Sequence, residues 1–248
     1  MFEDKYNLTL KENLFLLRKH FSSVVYTGLK MENRNITFPQ TEVILQGVND
    51  GAVALDDIYA ILGMKHAIEV LIKNIDKPLT SSIIKEFNLH IAKEEAIESG
   101  VIRSGRVSIS GTDYLPPAVT DAMLDDNLSC VLSSRKTYTE KAIDLFLDLI
   151  YTQYFWDGNK RTALLSANFL LCQHGVGLLE IMDRDMVEFA TLLNKMFNTG
   201  ERDQIKVFLY NQCLTGIDWC SFDLGRLTLS DCTIAHLAYQ QGMSCVWG

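Results

Sequence analysis

The chain has 248 residues, of which 48% are hydrophobic and 22% carry a charged side chain. These proportions are typical of a globular protein long enough to bury a full hydrophobic core. The formal net charge of −8 disfavours a nucleic-acid-binding surface, because phosphate backbones select basic patches. We therefore expect no nucleic-acid partner.

The sequence gives no indication of a membrane protein. Residues 1–20 are charged and periodic, unlike the basic start and apolar run of a signal peptide. The longest uncharged apolar run, 162–179, contains Ser, Asn, Gln, His and Gly, so it is poorly suited to spanning a bilayer. We expect no membrane partner and a cytoplasmic location.

Hydrophobic periodicity predicts a mainly helical chain. An apolar stripe over Leu8–Leu29 predicts a first helix, and a polar break with a proline follows over 32–40. Further helices are predicted over 56–74, 80–98, 120–132, 139–156, 160–174, 183–198 and 202–214. Thr80 or Ser81 is the expected N-cap of the helix that follows Pro78.

The segment from residue 106 to 115 departs from the helical pattern. Val107 and Ile109 alternate with Ser108 and Ser110, and a turn at 111–113 follows. Alternation with a period of two beside a glycine-containing turn predicts a short β-hairpin. Such a hairpin either offers an exposed edge to an extended segment of a partner or simply covers the helices beneath it.

The most informative stretch is 153–161, Gln-Tyr-Phe-Trp-Asp-Gly-Asn-Lys-Arg. The Asp-Gly-Asn break over 157–159 favours a turn between two helical segments. We expect one helix to end near Trp156 and the next to begin near Lys160, with its first backbone amides directed into the turn. Free amides and the positive end of a helix dipole together form an anion-binding site.

The charged side chains of this stretch suit a polyphosphate. Lys160 and Arg161 supply two cations, and Asp157 supplies one carboxylate that can hold Mg²⁺, which prefers oxygen ligands. A turn, phosphate donors and a metal ligand over 157–161 therefore predict a polyphosphate-binding site. A tight turn with a solvated Lys-Arg pair is the alternative for the same residues.

Residues 153–161 (the signature) resemble the Fic family pattern His-Pro-Phe-x-(Asp/Glu)-Gly-Asn-(Gly/Lys)-Arg. The matching residues are Phe155, Asp157, Gly158, Asn159, Lys160 and Arg161, and 160–164 is also similar to the Doc branch of the same fold. Residues 101–117 (the flap) resemble the family's flap hairpin, which ends in a similar Tyr-x-Pro-Pro. The resemblance covers roughly residues 40–212 and implies a mainly α, Fic-type helical bundle with one short β-hairpin.

We accordingly divide the chain into three parts. They are an N-terminal helical extension over 1–75, a Fic core over 76–212, and a C-terminal tail over 213–248 with no assigned role. The tail contains Cys213, Cys220, Cys232 and Cys245, with His236 among them. Their spacing lacks the close cysteine pair of structural zinc sites, so we expect buried thiols.

The resemblance also implies residue roles. The backbone amides of Gly158, Asn159 and Lys160 would hold the α- and β-phosphates of ATP, Arg161 the outer phosphates, and Asp157 a Mg²⁺ ion. The implied reaction is transfer of AMP to a Ser, Thr or Tyr hydroxyl of a target protein. The target would dock on the flap at Val107, Ser108, Ile109, Ser110 and Tyr114.

One residue departs from the family pattern in a way that affects catalysis. Gln153 stands where the family has its catalytic histidine, and a glutamine amide can orient a hydroxyl but cannot accept its proton. A general base contributes about 10²- to 10⁴-fold in rate, so we expect weakened AMP transfer. The alternatives are a non-catalytic nucleotide-binding module and a Doc-like phosphotransferase, although the Doc branch has alanine at the position of Gly158.

The family also has an inhibitory helix with the pattern (Ser/Thr)-x-x-x-Glu-(Gly/Asn), whose glutamate pairs with the signature arginine. We assign its counterpart to 42–47, with Glu42 at the Ser/Thr position and Gln46 at the glutamate position. A neutral amide cannot form the charge-assisted pair with Arg161. The sequence therefore predicts weak or absent self-inhibition.

Overall fold

A computed structural model describes residues 2–48, 51 and 53–217 of the chain. The described residues up to Gly216 belong to one compact unit. The cysteines at 220, 232 and 245 and the histidine at 236, named above as tail features, lie outside the described residues.

The described chain is mainly helical, as the periodicity predicts. Its helices are α1 (Leu10–Lys19), α2 (Phe21–Met31), α3 (Phe38–Leu45), α4 (Leu55–Asn74), α5 (Ser81–Ile91), α6 (Asp121–Ser133), α7 (Tyr138–Thr152), α8 (Asn159–Gln173), α9 (Met186–Thr199) and α10 (Asp203–Gln212). A 3-10 turn at Asp183–Asp185 precedes α9, and two short strands, β1 (Leu178–Leu179) and β2 (Leu214–Thr215), pair antiparallel. Within the described residues, no helix is both long enough and apolar enough to cross a bilayer.

Threonine side chains begin many of these helices. Thr9, Thr37, Thr80, Thr120 and Thr137 each accept a hydrogen bond from the backbone amide three residues later. Such a bond satisfies an amide that the first helical turn leaves free, and it contributes about 1 kcal/mol. Helix α8 differs, because its N-cap is Gly158 and no side chain caps it.

Helix α8 lies at the centre of the bundle. The residues from Arg161 to Cys172 are all buried, and the helix contacts α1, α2, α4, α5 and α7. A helix buried on every side needs partners for its polar groups, and Asn168 Nδ2, for example, donates to the Leu179 carbonyl at 3.0 Å. Its amino end, which carries the signature, is thus fixed by several neighbouring helices.

Several predicted helix boundaries are wrong. The stripe over Leu8–Leu29 is divided at His20 into α1 and α2, and α7 ends at Thr152 rather than near Trp156. Helix α5 ends at Ile91, well before residue 98. Helix α3 begins within the predicted break, because Thr37 caps it and a proline in the first turn is compatible with a helix start.

The mainly helical bundle with one short pair of strands is confirmed, but the strands are not in the flap. Residues 106–115 form no strand, and they contain a turn at Ser110 and Gly111. The predicted alternation is present, since Val107 and Ile109 are half-buried and Ser108 is exposed. The flap packs against helices instead of pairing with itself, and Thr112 Oγ1 donates to Asn198 Oδ1 of α9 at 2.7 Å.

Residues 2–8 lie against elements from distant parts of the chain. Lys5 Nζ donates to the carbonyl of Tyr210 at the end of α10, at 2.8 Å. The Leu8 amide donates to the Gly175 carbonyl at 2.7 Å. Since α1 and α2 also contact α8, deletion of residues 1–50 would remove part of the core and not only an appendage.

The division between α1 and α2 places a histidine beside a buried acid. His20 Nδ1 lies 2.9 Å from Glu180 Oε2, and the Glu180 side chain is fully buried. The contact with Glu180 raises the pKa of His20 above its ordinary value of 6.5, although burial opposes this. Protonated His20 therefore compensates the charge of a carboxylate that water cannot reach.

This pair should stabilise the fold in a pH-dependent way. Because folding raises the pKa of His20, its contribution is complete below the ordinary value of 6.5 and is lost as pH rises through the raised pKa. We expect the free energy of unfolding lost in His20→Gln to be larger at acid than at alkaline pH, as measured by urea unfolding over a pH series. Lys11→Gln, an exposed change on α1, is the control. An equal loss at every pH would contradict the prediction.

Candidate functional site

The signature forms the turn between α7 and α8. Gln153 ends α7 with φ 52° and Gly158 begins α8 with φ 70°, both in the left-handed region. Phe155 is buried beneath the turn, as expected from its apolar ring. The Phe155 amide donates to Asn159 Oδ1 at 2.9 Å, and Asn159 Nδ2 donates to the Phe155 carbonyl at 2.8 Å. The Asn159 side chain therefore fixes the turn. Only the backbone amide of Asn159 remains for a ligand.

Asn88 of α5 holds the same turn from another helix. Its Nδ2 donates to the Asp157 carbonyl at 2.8 Å and to Thr162 Oγ1 at 3.2 Å, while its Oδ1 accepts the Gly100 amide at 2.9 Å. Sequence reasoning missed this residue. An asparagine on the apolar face of a predicted helix was the available signal, because a buried amide requires partners.

Position 158 strongly favours glycine. Its backbone is left-handed, and a Cβ there would lie 2.8 Å from Ile91 Cγ2 and 3.3 Å from Ala92 Cβ. Both the conformation and the lack of space disfavour a larger side chain. The Doc branch differs in sequence here, because it has alanine at the corresponding position.

The first turn of α8 has the properties of an anion site. The amides of its first residues have no acceptor within the helix, no side chain caps them, and the helix dipole is positive at this end. Asp157, whose side chain is 49% exposed, accepts the Gly158 amide at 2.5 Å through Oδ1. A carboxylate thus already lies at the amide end of the helix.

Arg161 is a buried cation surrounded by carboxylates. The residue is 1% exposed, and its Nη1 and Nη2 donate to the two oxygens of Glu95 at 2.9 and 2.5 Å. Its Nε lies 3.7 Å from Glu32 Oε1, and its Nη2 lies 3.6 Å from Asp157 Oδ1. A buried guanidinium needs such partners, because an unpaired charge in the interior is very costly.

Each glutamate that faces Arg161 also has a second cation. Glu32 Oε2 lies 2.9 Å from Lys160 Nζ. Glu95 Oε1 lies 2.7 Å from Arg34 Nη2. Burial raises the pKa of Glu95, but Arg161 and Arg34 outweigh this effect and hold the pKa below its ordinary value. Glu95 is therefore ionised at neutral pH.

These contacts correct the assignment of the inhibitory residue. Gln46 is exposed at the end of α3, whereas Glu32 at the end of α2 contacts both Lys160 and Arg161. Glu32 and the asparagine after it match the Glu-(Gly/Asn) end of the family pattern, with Gly28 at the Ser/Thr position. The predicted weakness of self-inhibition rested on Gln46 and loses that basis.

Gln153 is tied to the last turn of α7. Its Nε2 donates to the Ile150 carbonyl at 2.6 Å, and its own carbonyl accepts Arg103 Nε at 2.5 Å. The acids on α7 are engaged elsewhere, since Asp144 pairs with two lysines and Asp148 pairs with Arg202, which immediately precedes α10. Neither acid is placed as a substitute base for Gln153.

The predicted docking residues of the flap divide into two groups. Ser108 and Ser110 are exposed, while Val107 and Ile109 are half-buried. Tyr114 is an anchor, because its ring lies 4.4 Å from that of Tyr151 between centroids and its hydroxyl donates to the Tyr151 carbonyl at 3.1 Å. A cavity of about 470 Å³ lies at the flap, and its lining includes Arg103, Arg106, Val107, Leu115 and Pro116.

Comparison with known proteins relates part of the chain to a family. Residues 78–171 match the model of the Fic/DOC family. This segment is therefore similar to the Fic/DOC family, and the helical bundle has the Fic fold. No curated protein matches the chain in sequence.

Solved structures agree with this fold. C. elegans Fic-1 has a TM-score of 0.66 and 19% identity, over 80% of this chain but only 62% of that chain. A Fic-domain-containing signaling protein from Bacteroides thetaiotaomicron has a TM-score of 0.66 and 20% identity, over 97% of this chain and 94% of that one. A Fic family protein from Desulfovibrio desulfuricans has a TM-score of 0.64 and 14% identity, over 82% and 66%. At these identities the likeness shows the fold alone.

The geometry of the signature turn predicts a specific cost for one substitution. Gly158→Ala forces a non-glycine residue into a left-handed conformation against Ile91 and Ala92, and we expect a loss of about 1–3 kcal/mol in the free energy of unfolding. Denaturant unfolding measures it. Gly47→Ala is the matched control, because Gly47 is also left-handed but has nothing within 4 Å of its Cβ position. Equal losses in the two variants would show that the contact with α5 is unimportant.

Proposed function

We propose that this protein binds ATP with Mg²⁺ at the amino end of α8 and transfers AMP to a hydroxyl of a target protein, at a rate weakened by Gln153. The main support is the buried Arg161 beside an uncapped helix N-terminus within a segment similar to the Fic/DOC family. Backbone amides, a helix dipole and a guanidinium that converge on one turn suit polyphosphate oxygens.

Each group at the turn would have a defined part in binding. The amides of Gly158, Asn159 and Lys160 would bond the α- and β-phosphates, and Arg161 the outer phosphates. The Gly158 amide now bonds the Asp157 carboxylate, so a phosphate would replace one anion by another. The pattern of donors would be unchanged.

Asp157 fits a magnesium ion bound together with a nucleotide. Its side chain is half-exposed at the turn, and Mg²⁺ is usually held by one or two carboxylates, phosphate oxygens and water. Such an ion would neutralise part of the phosphate charge. The chain itself would hold and orient the nucleotide through the amides of α8.

Gln153 would orient the target hydroxyl without activating it. In the transfer, the hydroxyl oxygen would bond to the α-phosphorus, pyrophosphate would leave, and the proton would pass to water, since the Gln153 amide cannot accept it. Positioning and charge stabilisation contribute much of the rate in phosphoryl chemistry. A slow reaction is therefore compatible with this site.

Two observations bear on the alternatives. The residues from Lys160 to Leu164 resemble Doc and favour phosphate transfer, whereas the glycine at position 158 differs from the alanine of that branch. Gln153 itself favours a non-catalytic nucleotide-binding module. Mass spectrometry of a labelled target distinguishes the reactions, because an adenylate adds far more mass than a phosphate.

The proposal includes a resting state in which Glu32 and Glu95 occupy Arg161. Carboxylate and phosphate bind the same face of a guanidinium, so ATP would have to displace both acids. We expect Glu32→Gln and Glu95→Gln each to strengthen ATP binding, and the double variant to bind most tightly, by about tenfold or more over the wild type. Isothermal titration calorimetry with Mg²⁺-ATP measures this.

Glu98→Gln is the control for these variants, because Glu98 is an exposed acid near Glu95. Truncation of residues 1–50 is not a suitable test of self-inhibition, since it would remove core helices. Unchanged ATP affinity in the double variant would refute the resting state.

The cations of the signature are tested best in that Glu32→Gln/Glu95→Gln background, where competing acids are absent. We expect Lys160→Met to weaken ATP binding by about tenfold, because it removes a charge while keeping most of the apolar stem. Arg184→Met, at an exposed arginine, is the matched control. If calorimetry gives the same affinity for both variants, the nucleotide does not bind at this turn.

The position of Gln153 is tested by restoring a base. We expect Gln153→His to raise protein labelling by radiolabelled ATP in lysate by about 10²-fold or more, because a histidine can accept the hydroxyl proton. Asn127→His, a change at another amide of the chain, is the control. Labelling only in Gln153→His would favour the non-catalytic alternative for the natural chain, and no labelling in either variant would count against AMP transfer.

A further inference from the structure

Arg103 is a second buried arginine near the signature, and its partners differ from those of Arg161. The residue is 3% exposed, and burial lowers its pKa. Its side-chain hydrogen bonds go to backbone carbonyls. A buried cation bound by carbonyl dipoles has its charge compensated without any carboxylate.

The four carbonyls belong to two different parts of the site. Arg103 Nε donates to the Gln153 carbonyl at 2.5 Å, and Nη2 lies 3.4 Å from the Thr152 carbonyl. Nη1 donates to the Gly105 carbonyl at 2.6 Å, and Nη2 donates to the Pro117 carbonyl at 2.5 Å. Thr152 and Gln153 end α7, while Gly105 lies near the start of the flap and Pro117 at its end, and Arg103 itself is a flap residue. One guanidinium therefore joins the first part and the last residue of the flap to the start of the signature.

The electrostatics and shape of this contact favour arginine over lysine. The carbonyl end of a helix carries the negative end of its dipole, so a cation there is stabilised. A planar guanidinium can serve several acceptors in fixed directions, whereas an ammonium on a flexible stem cannot reproduce that geometry. The bond to Gln153 also supports a residue in the left-handed region, which is uncommon for a non-glycine residue.

A second contact joins the flap to the signature. A Cβ placed on Gly105 would lie 2.6 Å from Cη2 of Trp156, so the flap backbone lies directly on the indole ring. Trp156 immediately precedes Asp157, the candidate metal ligand. Any shift of the flap backbone at Gly105 would therefore displace Trp156 and the turn that carries the candidate nucleotide site.

We propose that Arg103 is the positioning residue of this site, which fixes the flap at a set distance from Gln153 so that a docked target segment places its hydroxyl beside the nucleotide. The part of this inference that concerns a target rests on the proposed function. The part that concerns the flap and Gln153 rests on the Arg103 contacts alone.

The contact between Arg103 and the flap is tested by hydrogen exchange followed by mass spectrometry. In Arg103→Lys and Arg103→Ala, we expect faster amide exchange in peptides covering 104–118 and 150–157, with no change in α4. Arg106→Ala, at an exposed flap arginine, should leave all of these peptides unchanged. Gly105→Ala would place a methyl group against Trp156, so this variant should also accelerate amide exchange in the flap.

Chemical rescue separates positioning from general stability. Millimolar methylguanidinium should restore slow exchange to the flap of Arg103→Ala, whereas methylammonium should not, because only the planar ion can serve the four carbonyls. Unchanged flap exchange, uniformly faster exchange across the core, or equal rescue by both ions would each overturn the proposal.

The functional part is tested with the same variants. In the Gln153→His background, Arg103→Lys should lower kcat for target labelling by about tenfold or more while leaving the KM for ATP within about twofold. An equal loss of ATP affinity would overturn the positioning role. If even the Glu32→Gln/Glu95→Gln protein binds no ATP, the proposed function fails, and the exchange experiment alone decides whether Arg103 fixes the flap.

Discussion

The pairing of the buried Arg161 guanidinium is the interaction on which this site depends. A cation that is 1% exposed needs acceptors that compensate its charge, because the interior does not solvate a lone charge, and for Arg161 these acceptors are anions. Those anions come from the end of α2, the segment after α5, and the signature turn itself. The fold therefore has to bring three separate chain segments to the amino end of α8, and the same convergence forms the candidate binding site.

The two buried arginines of the site have different partners, which suit Arg161 to ligand binding and Arg103 to holding the flap in place. The partners of Arg161 are carboxylates, which a phosphate can replace at little electrostatic cost. The partners of Arg103 are neutral carbonyls of the main chain, which belong to the end of α7 and to the flap. One arginine is thus suited to exchange its partners, and the other keeps the flap and the end of α7 together.

The sequence alone predicts those features that depend on local chemistry. Most helices follow from apolar periodicity and from threonine caps such as Thr80, and the turn at Gly158 follows from the turn preference of its residues. Features that depend on distant partners were missed or misplaced. The division at His20 faces Glu180, the flap packs on α9 instead of pairing with itself, and Glu32 and Glu95 meet Arg161 across long stretches of chain.

The second partners of the glutamates determine whether the resting state can be reversed. If ATP took Arg161, an acid left alone in a partly buried site would oppose the exchange. Glu95 would retain Arg34, which also pairs with Asp57, and Glu32 would retain Lys160. Each acid therefore keeps a cationic neighbour after release, although Glu95 would share the single charge of Arg34 with Asp57. Removing Arg34 should for this reason make Glu95 depend wholly on Arg161 and tighten the resting state.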